Sequence, residues 1–172
     1  LALAGAAGTG KTTVVGNLVK DGQLARPIKF TATTNKAVGV ASAMSNGQEC
    51  MTVHRTFGLA PVRTYKGARS VLKRKNQPKY DEGDFILVDE SSMIDANMLD
   101  LLTESAVNEN LKILFIGDPY QLPPVSEGVD HDAIPPVFEQ APTISLTKVH
   151  RQAEDSPVLS LATQVREAVD GK

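Results

Sequence analysis

Gly5-Ala6-Ala7-Gly8-Thr9-Gly10-Lys11-Thr12 fits the pattern GxxxxGK[ST] at every fixed position. It also stands in the context that gives the pattern meaning, after the short apolar run Leu1–Ala4 and before a helix expected from Lys11 to Val19. Glycines let the backbone curl until consecutive N–H groups face one anion, and the helix that follows points its positive dipole end at the same place. Lys11 would reach the β- and γ-phosphates of a bound nucleotide, and the Thr12 hydroxyl would hold Mg²⁺. The residues expected around the phosphates are Gly5, Ala6, Ala7, Gly8, Thr9, Gly10, Lys11, Thr12 and Thr13. The bland alternative is a glycine-rich turn with a chance lysine, and the combination of pattern and context stands against it.

Outward from this loop, short apolar runs alternate with helical spacing. Strands are expected at Leu1–Ala4, Ile28–Thr33, Phe85–Val88, Ile113–Ile116 and Thr143–Leu146. Helices are expected at Lys11–Val19, Lys36–Met44, Ala96–Val107 and Ser156–Val169. That alternation predicts an α/β fold, a mostly parallel central sheet with helices on both faces. Phe85-Ile86-Leu87-Val88 is apolar throughout, as a central strand covered on both sides must be. Residues 61–80 break the rhythm: Arg63, Lys66, Arg69, Lys73, Arg74, Lys75 and Lys79 occur with no acidic residue before Asp81. They read as a small basic insertion, a hairpin or a plain solvated loop, dividing a main domain of residues 1–60 and 81–172.

Composition sets the outer limits. The 172 residues suit one such domain, and 41% hydrophobic with 22% charged residues is ordinary globular composition. No apolar run approaches the roughly 20 residues that span a bilayer, so the expected compartment is the cytoplasm. A single cysteine, Cys50, excludes an internal disulfide and a cysteine-based zinc site. The net charge of −2 argues against polyanion binding by the whole surface and leaves room for a local basic groove. Leu1 opens in mid-strand without a methionine, which reads as a piece of a longer chain.

Three further segments carry chemistry. Asp89 and Glu90 end the apolar run at Val88, where ligands bind in open α/β sheets. Asp89 is placed to hold Mg²⁺ and Glu90 to polarise an attacking water; a solvated acidic turn is the competing reading. Ile113–Ile116 runs into Gly117-Asp118-Pro119-Tyr120-Gln121-Leu122-Pro123-Pro124, a stiff loop whose Gln121 would sense a γ-phosphate or be an ordinary surface glutamine. Arg151, after the last strand, would bring positive charge to a transferring phosphoryl group or form a weak surface ion pair.

Taken in order, GAAGTGKTT, TATTNKAV (Thr31–Val38), TVHRTFG (Thr52–Gly58), LVDESSMI (Leu87–Ile94), GDPYQLPPV and LTKVHRQ resemble superfamily 1 DNA helicases of the RecD/Dda branch. The resemblance implies a RecA-like P-loop NTPase domain, the first of two motor domains, acting as a monomer with ATP and Mg²⁺ on single-stranded DNA. It implies that Gln121 and Arg151 contact the γ-phosphate beside Lys11 and Glu90. It places Thr33, Thr34, Asn35, Thr52 and His54 along the DNA path, though His54 is equally readable as a structural histidine. The basic insertion corresponds to a strand-separating pin, with Lys73, Arg74 and Lys75 on DNA phosphates. A bacterial or phage source and 5′-to-3′ travel are implied by the same likeness. No adenine-recognition segment precedes the loop, and no second motor domain follows in these residues. The rival enzyme is a nucleoside or nucleotide kinase, and the rival from another class is a non-hydrolysing P-loop scaffold.

Overall fold

The computed structural model describes residues 1–20, 27–44, 49–63, 70–121, 124 and 134–148. Its strands are β1 (Ala2–Gly5), β2 (Ile28–Ala32), β3 (Cys50–Thr52), β4 (Leu59–Arg63), β5 (Ser70–Arg74), β6 (Phe85–Asp89), β7 (Lys112–Gly117) and β8 (Thr143–Leu146). Its helices are α1 (Lys11–Lys20), α2 (Asn35–Met44), α3 (Val53–Thr56), α4 (Ala96–Asn108) and α5 (Pro136–Gln140), with a 3₁₀ turn at Ser91–Met93. Six strands form one sheet in the order β3-β2-β6-β7-β1-β8, and every pairing in it is parallel. The expected α/β class with a parallel sheet is what the chain adopts.

Side chains two apart on a strand share a face, and the core divides along that rule. Ala2, Ile86, Val88 and Phe115 face one cluster with Met98, Leu99 and Leu102 of α4, Val137 of α5, and Val53 and Phe57 around α3. Leu3, Ile28, Phe30, Leu87, Leu114 and Ile116 face the other cluster, with Val15 of α1. Burial on both faces explains why β6 has no polar residue before Asp89. The α4 helix begins where the Asp95 side chain accepts the Met98 N–H at 2.7 Å, a cap worth about 1 kcal/mol.

The sequence reading omitted β3, α3 and α5. Each has three to five residues, too few to display a period, and α3 is announced only by its cap, Thr52 Oγ1 accepting from Arg55 N at 3.3 Å. The helix expected at Ser156–Val169 lies outside the described residues.

The basic segment contains an antiparallel pair, β4 with β5, separate from the main sheet. Its root is held tightly. The Gly58 carbonyl accepts from Lys75 N at 2.9 Å and Asn76 N at 3.0 Å, and Lys79 N donates to Thr56 O at 2.8 Å. Below these bonds the Phe57 and Tyr80 rings meet with centroids 5.2 Å apart. Arg74 donates to Ser105 Oγ, which lays the hairpin against α4.

Candidate nucleotide and strand site at the carboxyl edge of the sheet

Parallel strands end together, so β1, β2, β3, β6 and β7 deliver their following residues to one edge. The glycine loop leaves β1 there. Gly8 and Gly10 have φ of 84° and 88°, the left-handed region that only glycine enters cheaply. Gly5 is fixed by space instead: a Cβ there would stand 2.6 Å from Thr9 Oγ1 and 2.9 Å from the Leu146 carbonyl. Thr9 is buried, and its hydroxyl closes the turn by donating to Ala6 O at 2.8 Å. The Lys11 ammonium donates to Gly5 O at 2.5 Å and Ala6 O at 2.8 Å, which holds it across the mouth of the loop. Thr12 and Thr13 are exposed at the start of α1.

Asp89 closes β6 beside this loop. Lys11, Thr12 and Asp89 line one cavity of about 40 Å³ whose floor is Val15, Phe30, Ala41, Leu87 and Ile116. Burial pushes the Asp89 carboxyl above the ordinary carboxylate range, opposed by the Glu90 N–H bonded at 2.9 Å and by the Lys11 charge. Glu90 is also raised, first by burial and then by the neighbouring Asp89 charge, with Lys11 acting the other way and Asp118 adding to the rise. A desolvated carboxylate and a hydroxyl residue lining one cavity with a lysine offer hard oxygens, the chemistry Mg²⁺ selects when it keeps waters and phosphate oxygens for its other positions. The residues therefore fit Mg²⁺-nucleotide.

Glu90 takes a left-handed backbone, φ 54° and ψ 39°, a conformation costing a non-glycine residue about 1 kcal/mol. Its carbonyl accepts from Met93 N at 3.2 Å and from the Thr33 hydroxyl at 3.3 Å. The next residue, Ser91, is buried and donates to Ile116 O at 2.7 Å.

At the end of β7, Asp118 is 2% exposed and organises the loop: its carboxylate accepts from Tyr120 N at 3.1 Å, and its carbonyl accepts from Gln121 N at 3.1 Å. Gln121 itself is exposed at this edge. Sequence reasoning assigned no role to Asp118 or Ser91; an Asp before Pro119 is a turn signal that points to the first. Arg151 lies outside the described residues.

The segments assigned to the DNA path also reach this edge, because β2 and β3 are parallel neighbours with Ala32 opposite Thr52. Thr34 Oγ1 accepts from Ala37 N at 3.2 Å and caps α2, as Thr52 caps α3. Asn35 is exposed and His54 half-buried. On the hairpin, Lys73, Arg74 and Lys75 are exposed, and Arg74 also donates to Ser105 Oγ.

A parallel sheet with a glycine loop entering α1 and an acidic strand end beside it defines a P-loop domain. The chain belongs to the AAA domain family, whose model matches residues 1–171. The ATP-dependent RecD2 DNA helicase of Deinococcus radiodurans is 37% identical over 164 residues, covering 93% of this chain and 21% of that protein. The ATP-dependent DNA helicase PIF1 of Candida albicans is 26% identical over 190 residues, covering 95% of this chain and 20% of that one. The crystal structure of Pif1 helicase from Candida albicans shares the fold, with a TM-score of 0.63 at 22% identity, covering 96% of this chain and 40% of that one. The superfamily 1 resemblance read from the motifs is borne out by these relatives. The chain spans about a fifth of the length of these two curated relatives.

Proposed function

We propose that this chain is the first motor domain of an ATP-dependent DNA helicase, binding ATP with Mg²⁺ and hydrolysing it to drive movement along single-stranded DNA. The observation that carries this reading is the shared edge: Lys11, Asp89 and Glu90 stand at the same ends of the sheet as Thr33–Asn35 and Thr52–His54. One edge serves both ligands.

The loop N–H groups and the α1 dipole hold the phosphates. Lys11 exchanges the Gly5 and Ala6 carbonyls for β- and γ-phosphate oxygens. Thr12 and Asp89 would hold Mg²⁺, which would supply positive charge against the phosphates when bound. Glu90 orients the attacking water and accepts its proton; burial and the Asp89 charge make it a stronger base than a solvated glutamate. Gln121 and Arg151 contact the γ-phosphate and report its loss. A second motor domain supplied by the longer protein closes over the nucleotide. The β4–β5 hairpin with its Lys75–Tyr80 return is a small subdomain that lies in the duplex path.

The test is steady-state ATP hydrolysis by the full-length protein, with and without single-stranded DNA. Strong stimulation that is lost in Lys11→Ala supports the motor, and Glu90→Gln should still bind ATP while turnover stops. Hydrolysis indifferent to DNA would remove the helicase reading, and a Glu90→Gln variant with normal turnover would remove the role given to Glu90.

A further inference from the structure

Thr33 stands one residue beyond the last paired position of β2, where Ala32 faces Asp89, so it lies opposite Glu90. Its hydroxyl is turned toward the 3₁₀ turn that follows β6. It meets two acceptors there, the Glu90 carbonyl at 3.3 Å and the Met93 sulfur at 3.6 Å. A hydroxyl carries one proton, so only one of these contacts is a full hydrogen bond at any moment. Neither is short, since such O–H···O bonds are usually about 2.7–2.8 Å. Small displacements of the strand end therefore decide which acceptor is served.

The Glu90 carbonyl does not need Thr33 for satisfaction, because Met93 N already reaches it at 3.2 Å within the turn. The Thr33 contact is an extra, cross-strand link to a residue already in a left-handed conformation. Thr34, the next residue, caps α2 through Ala37 N and accepts Val38 N at its carbonyl, 3.0 Å away. Two adjacent threonines thus join two elements, one bonded to the start of α2 and the other to the turn that aims Glu90. A pull on the exposed Asn35 end of α2 reaches the Glu90 carbonyl through two peptide units and the Thr33 hydroxyl.

We propose that Thr33 is a positioning residue that transmits strand engagement at the start of α2 to Glu90, setting the carboxylate for hydrolysis only when DNA is held. This rests on the motor reading above and assigns Thr33 to coupling, where the resemblance alone placed it on the DNA.

The experiment compares unsubstituted protein with Thr33→Val, Thr33→Ala and Thr33→Ser in the full-length chain, using oligodeoxythymidylate as the strand. Hydrolysis is measured at saturating strand, and strand affinity is measured separately by fluorescence anisotropy. The expected result is a roughly tenfold fall in kcat at saturating strand for the Val and Ala variants, about 1.4 kcal/mol of barrier. KM for ATP should stay within about twofold, and the Ser variant, which keeps the hydroxyl, should recover most of the rate. Two variants of different bulk keep the test valid if one folds poorly. Equal kcat in all four proteins would overturn the coupling role while leaving the motor reading intact. A deficit that disappears once strand is saturating would also overturn it, because Thr33 would then be a plain DNA contact. If the unsubstituted protein is not stimulated by the strand, both the motor reading and the coupling fall.

Discussion

The Ser91 hydroxyl donates to the Ile116 carbonyl at 2.7 Å, tying the turn after β6 to the end of β7. The close approach is eased by Gly117, where a Cβ would lie 3.1 Å from Ser91 Oγ, 3.2 Å from Ser91 N and 3.1 Å from the Phe138 ring. The acidic end of β6 and the Asp118–Gln121 loop are therefore held in one fixed relation. Gly117→Ala should push Ser91 outward and turn Glu90 with it. The expected cost is about 1–3 kcal/mol of stability and a fall in kcat larger than any change in KM for ATP. Chemical denaturation and steady-state kinetics on the same preparation would separate the two effects.

Asp89 is a buried carboxyl whose ionisation costs the fold stability. Its carboxyl is raised by burial, so between the ordinary carboxylate range and the raised value the folded chain binds more protons than the unfolded chain. Stability then falls as pH rises through that window, and the penalty is in full force above it. Asp89→Asn keeps an acceptor for the Glu90 N–H and removes the charge. Without nucleotide or Mg²⁺ at pH 7, its Tm should rise by roughly 2–4 °C, the effect of about 1 kcal/mol in a chain of this size, while ATP hydrolysis is lost. A lower Tm for the Asn variant would show that the carboxylate is a net stabiliser.

The hairpin offers a charge test that the fold sharpens. Lys73, Arg74 and Lys75 are all exposed near the end of β5, but only Arg74 also donates to Ser105 on α4. Replacing Lys73 and Lys75 by Ala should weaken single-stranded DNA binding and reduce the slope of log affinity against log salt by about 0.7 for each phosphate no longer neutralised. Arg74→Ala should act chiefly on stability. An unchanged slope in the double variant would take the hairpin out of the DNA path.

Gly58 anchors the same hairpin. It has φ of 65°, and a Cβ there would collide with the Asn76 carbonyl. Gly58→Ala should destabilise the chain by more than the roughly 1 kcal/mol of a strained φ alone, because the Lys75 and Asn76 bonds to its carbonyl must also yield. A Tm within about 1 °C of the unsubstituted protein would contradict this.

Long periodic elements were legible before any coordinates. β1, β2, β6, β7 and β8 and the helices α1, α2 and α4 lie within a residue or two of where apolar spacing placed them. The reason is local: a strand buried on both faces must be apolar throughout, as Phe85–Val88 is, and a helix must repeat near 3.6. The glycine loop was legible because its backbone chemistry is written in consecutive residues. Short elements were not, since β3, α3 and α5 depend on neighbours rather than on their own pattern.

Taken alone, the sequence determined the class of fold, the loop from Gly5 to Thr12 and the acidic pair, because each is a property of residues adjacent in the chain. Only the tertiary structure decided which residues those groups meet. Strand order brings Thr33 opposite Glu90 across 57 positions of chain and Ser91 to Ile116 across 25. It also sets Glu90 in a left-handed backbone and turns Arg74 onto Ser105. Contacts of that kind follow from the pairing of β2, β6 and β7, and no local pattern encodes a register between strands so far apart.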